Sequence, residues 1–83
     1  MTPERRQARG SEAQRIIEHP LVDGAMKALD AAYVETWRRS AASDAEARER
    51  AYVKMQVLKE FRAEFEALID DGALAGAELK ART

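Results

Sequence analysis

The sequence predicts an all-α protein: an antiparallel helical hairpin with a short N-terminal helix and a short C-terminal tail, associating with further copies of itself. Three observations carry that expectation. Apolar residues recur at helical spacing through two long stretches. Only four glycines and two prolines punctuate 83 residues, and most fall where helices should end. The later stretch carries more apolar circumference than one neighbouring helix can cover.

The N-terminal segment, residues 1–19, reads as one short helix or two. Thr2 is placed as N-cap, with Pro3 at the first helical position and Glu4 behind it. Gly10 is expected to interrupt. Ser11 and Gln14 have capping-box spacing for a second start, which stops near His19 because Pro20 disfavours helical geometry at the residue before it.

Pro20 suits a first turn, and residues 20–40 read as the next helix. At 100° per residue, Leu21, Val22, Ala25, Met26, Leu29, Ala32, Tyr33 and Trp37 share an arc of about 160°. Asp23, Lys27, Asp30, Glu35 and Arg38 take the other side, and Gly24 falls with them. The polar run at 40–43 is the connection, with Ser43 and Glu46 spaced as a capping box. Residues 43–71 read as the long helix, stopped by Gly72 as a left-handed cap, with 72–83 as tail. A loop this short makes the two helices antiparallel neighbours.

Val53, Met55, Val57, Leu58, Phe61, Phe65, Leu68 and Ile69 sweep about 200° of the long helix, where a core-facing stripe needs little over 100°. Helix 20–40 covers only part of that circumference. The surplus marks an interface with another copy, with Tyr52, Val53, Met55, Val57, Phe61 and Leu68 as candidate contacts. Tyr52, beyond the edge of the arc, is the best single candidate for touching another chain, since aromatics anchor interfaces. Tyr33 and Trp37, inside the apolar arc, are expected in the core. A chain this short buries only about 60% of its unfolded surface. With no cysteine to form a disulfide, association is the remaining staple.

Chemistry finds little purchase. His19 is the only histidine and belongs to a turn beside Pro20. Without cysteine and with one histidine, a zinc site is close to excluded. Glu60 with Glu64, and Glu66 with Asp70, stand one turn apart but lack the histidine three residues later that di-iron bundles use. No nucleophile elbow or phosphate loop is present. The chain is therefore expected to be non-enzymatic, with no catalytic residue, cofactor or metal. Asp23–Lys27, Glu35–Arg39, Glu46–Arg50 and Arg62–Glu66 have the spacing of surface ion pairs. Arg5, Arg6, Arg9 and Arg15 are the candidates for nucleic-acid contact. Glu4 and Glu12 dilute that group, no aromatic is interleaved for base stacking, and the net charge is only −1. No apolar run approaches the roughly 20 residues of a membrane span. The arginine-rich start has no apolar stretch behind it, so a signal peptide is not expected and the cytoplasm is.

Four segments carry a resemblance: His19-Pro20-Leu21-Val22, Tyr33-Val34-Glu35-Thr36-Trp37, the run at 44–52 from Asp44 to Tyr52, and the run at 69–75 from Ile69 to Ala75. In this order they resemble a class of short proteins encoded in tailed-phage, prophage and gene-transfer-agent clusters. His19 stands where the first motif often begins with an acidic residue. A hairpin with a self-association face is also similar to the ring-forming core of phage small terminase subunits, which are non-enzymatic, recognise viral DNA and regulate the packaging motor. Their N-terminal helix-turn-helix has no counterpart here. The resemblance implies a particle-assembly or DNA-packaging accessory that partners a packaging or head-assembly protein. Two rivals stay open: a phage-encoded inhibitor or regulator docking on a host protein, and a DNA-binding accessory.

Overall fold

The structure, a computed structural model, describes residues 1–82. Three helices account for nearly all of them: α1 (Pro3–Ile17), α2 (Pro20–Arg39) and α3 (Ala45–Ala81), with no strand among the described residues.

The ends of α1 and the start of α2 follow the local chemistry. Thr2 is extended, and its hydroxyl accepts the Arg5 N–H at 3.2 Å. Glu4 adds negative charge in the first turn. At the other end the N–H groups of Glu18 and His19 close onto the carbonyls of Gln14 and Ile16. Pro20 then opens α2.

Two expected breaks do not occur. Gly10 lies inside an unbroken α1, so Ser11 and Gln14 are interior residues and no second N-cap forms. Gly72 lies inside α3, which continues ten residues beyond Asp71 to Ala81; the expected tail is helix. No glycine has positive φ, so neither has cap geometry. A glycine costs a helix only about 1 kcal/mol, and packing repays it at both sites. The α3 cap also moves by one residue. Asp44, not Ser43, accepts the Ala47 N–H at 3.1 Å, while its own N–H closes a turn onto the Ala41 carbonyl at 2.9 Å.

The chain divides into two compact units, and α3 contributes to both. The first comprises the segment through His19 and α3 from Arg62 onward. Here two helix backbones touch. A Cβ on Gly10 would stand 2.8 Å from the Gly72 Cα and 2.8 Å from the Leu68 carbonyl oxygen, closer than packed atoms tolerate. Gln7 lies against Gly76, one turn further along α3, so the two segments run in opposite directions. Ala13 and Ala75 are buried in the same unit. Small residues permit this approach, and dispersion between close backbones is the return on the missing side chains.

Ion pairs frame that contact. The Arg6 guanidinium grips Asp71 through Nε and Nη2, at 2.8 Å for the shortest contact, and reaches Glu78 at 3.1 Å. Arg9 approaches the same Asp71 carboxylate at 3.9 Å. The Arg6 hydrogen bond holds the Asp71 carboxyl below its ordinary range and raises the guanidinium.

The second unit comprises Pro20–Phe61, which is α2, its connection and the first part of α3. Met26 and Ala51 are its buried residues. The Arg48 guanidinium stacks over the Trp37 ring at 4.4 Å and also donates to the Ser40 carbonyl and hydroxyl. The Lys54 ammonium lies 5.8 Å from the Tyr33 ring centre. The aromatics are thus half covered by cations rather than sealed in a core, and Trp37 stays 39% exposed. Asp23–Lys27 and Glu35–Arg39 pair as their spacing predicts, each at 2.8 Å. Among the described residues no ion pair joins Glu46 to Arg50 or Arg62 to Glu66.

Candidate functional site: an open apolar groove

The residues most in need of cover lie in the second unit. Val53, Val57 and Phe61 recur every fourth residue, so they form one ridge along α3, turning about 40° per step. Their exposures are 48%, 57% and 52%. Facing Val57 and Phe61 across a groove are Leu21, at 78%, and Leu29 from α2. Met26 and Leu58 also line the groove; Met26 is buried and Leu58 half-buried. Val57, Phe61, Leu21 and Leu29 therefore stand largely in water around one apolar trough, with Val53 one turn further along the ridge. Scattered exposed apolar residues are ordinary in soluble proteins, whereas a contiguous row is not.

The sequence-derived contacts separate into groups. Val53, Val57 and Phe61 come together on the ridge. Met55 and Leu68 are half-buried. Tyr52 is 51% exposed but lies about 140° around α3 from Val57, so it belongs to another side of the helix. It borders a shallow hollow with Trp37, Ala42, Ala45, Arg48 and Glu49. The groove's second rim, Leu21 and Leu29, was legible only as part of an apolar arc; its exposure depends on how α2 is rotated.

The arginine group is largely committed. Arg6 and Arg9 face Asp71, and Arg15 pairs with Glu12, whose carboxyl is lowered by that hydrogen bond. Arg5 is exposed on the first turn of α1. A phosphate backbone would compete with carboxylates already in place for three of the four. His19 lies in the bend between α1 and α2, as its neighbour Pro20 predicts. Among the described residues no three His, Asp or Glu side chains converge as metal ligands would, and no helix is long and apolar enough to cross a membrane.

The chain matches no protein-family model, no curated protein and no solved structure.

Proposed function

We propose that this chain is a non-enzymatic assembly protein, a helical hairpin of α2 and α3 that works by self-association through the groove and ridge of its second unit. The observation that carries the reading is the exposed row Val53, Val57 and Phe61 with Leu21 opposite. Each such side chain contributes about 1.5–3 kcal/mol when fully buried against a partner. Leaving all of them wet is unfavourable for a chain whose buried apolar residues, among the described residues, are Ala13, Met26, Ala51 and Ala75. Light scattering at micromolar concentration tests the reading: a mass above the 9.3 kDa of one chain is expected. A single species at that mass would sink it.

The setting, a phage-like particle in which the protein serves head assembly or DNA packaging, comes from the resemblance of residues 16–75. It is tested by whether the reading frames beside its gene encode head and packaging proteins. A second reading, a regulator docking on a host protein, draws support from Tyr52 standing half out of its hollow beside Trp37. Under that reading Tyr52→Ala abolishes capture of the host protein while the mass in solution stays unchanged.

A further inference from the structure

The ridge on α3 carries charges whose order specifies how a second copy would lie. Arg50 and Lys54 precede Val57 by seven and three residues; Glu60 and Glu64 follow it by three and seven. All four are exposed. They belong to one uninterrupted helix, so helical geometry sets their placement. Arg50 and Glu64 lie within about 20° on either side of Val57, on the same line as the apolar ridge. Lys54 and Glu60 stand about 60° to opposite flanks, each with the same sign as the ridge charge at its end. The ridge is thus basic before its midpoint, apolar across it and acidic after it.

We propose that this face is a two-fold, antiparallel contact with a second copy of the same chain, centred on Val57. The proposal rests on the self-association reading above and adds its partner, direction and register. A two-fold contact presents the same patch from both copies. Reversing α3 about Val57 sets Val57 against Val57 and Val53 against the other copy's Phe61. It also places Arg50 opposite the other copy's Glu64, twice by symmetry, roughly 10 Å from the axis. A parallel copy would instead set arginine against arginine and glutamate against glutamate. Like charges in juxtaposition are what interfaces are arranged to avoid. The apolar centre supplies affinity, and the end charges select direction. Leu21 and Leu29 on the groove's other rim widen the surface that is covered.

The chain has no cysteine, so introduced thiols report on this contact alone. Val53→Cys and Phe61→Cys chains are oxidised singly and as a mixture. In the antiparallel register positions 53 and 61 of opposite copies are neighbours, within the ~4.4–6.8 Å Cα separation a disulfide needs. Two copies of position 53 are about 12 Å apart along the axis. The mixture is expected to cross-link about tenfold faster than either variant alone. Sedimentation equilibrium supplies the second arm. Glu64→Arg is expected to raise the dimer dissociation constant about tenfold, because it sets arginine against arginine at two symmetry-related positions. The swap Arg50→Glu with Glu64→Arg restores it, while circular dichroism shows the helices intact. Fast cross-linking of Val53→Cys with itself, or a double swap as weak as the single, overturns the antiparallel register while self-association stands. A wild-type chain that sediments only as monomer overturns the proposal together with the reading beneath it.

Discussion

Around Gly10 and Gly72 two helix backbones come closer than any side chain would allow, whereas around Met26 the apolar side chains are large and the neighbouring groove stays open. The first unit spends glycine and alanine on proximity, then frames the contact with Arg6, Asp71 and Glu78. The second leaves Leu21, Val53, Val57 and Phe61 at its surface and covers its aromatics with Arg48 and Lys54. One unit has its contact already made; the other keeps large apolar side chains half exposed along an open groove. Apolar content alone does not say which part of a protein is finished. Closeness of approach does.

That comparison breaks most readily at Met26, the one large buried side chain among the described residues. Met26→Ala should cost about 2–5 kcal/mol in urea unfolding, the usual range for such a truncation in a packed site. A cost below 1 kcal/mol would mean that the second unit has no packed centre. Gly10→Ala comes next, at about 1–3 kcal/mol destabilising, because its new methyl meets backbone on two sides and cannot be relieved by a rotamer change. Gly24→Ala is its control and carries the opposite sign. Nothing lies within 4 Å of a Cβ there, so the gain in helix propensity of about 0.5–1 kcal/mol should appear as added stability. Were both substitutions to stabilise, the close contact of the first unit would be refuted.

Arg48→Ala removes the cation from the Trp37 face and should cost about 0.5–1 kcal/mol, read as a lowered urea midpoint with altered tryptophan fluorescence. The smallest effect is the pH response of the first unit. Asp71 is held below its ordinary value of 3.8 by Arg6, so the folded state sheds that proton more readily than the unfolded chain. The stabilisation is therefore complete above about pH 3.8 and fades as pH falls through the lowered value. Stability of the wild type should drop more steeply than that of Asp71→Asn below pH 3.8, and equal slopes would remove the ion pair from the account.

Much of the local architecture was legible. Thr2, Pro3 and Pro20 act through their own chemistry, so the starts of α1 and α2 stand where the residues put them. The row Val53, Val57 and Phe61 was legible as surplus circumference, since periodicity shows which apolar residues share a face. Gly10 and Gly72 misled, because a glycine that ends a helix and one that admits a neighbouring backbone look alike until the neighbour is present. A signal was there: Ala13 in α1 and Ala75 and Gly76 in α3 place small residues one turn from each glycine. Tyr52 was legible as lying beyond the edge of the arc, and it borders a separate hollow beside Trp37.

By itself, then, the sequence determined the helical character of the chain, the starts of α1 and α2, the helical period of the apolar face and the order of charges along α3, all properties of residues within a few positions of each other. The tertiary structure decided that Gly10 and Gly72 meet, that α3 runs on to Ala81 without a cap, and that Leu21 and Phe61 share an open groove. The reason is range. Helix propensity and capping act over three or four residues, whereas the value of a missing Cβ or an exposed ring depends on what arrives from tens of residues away.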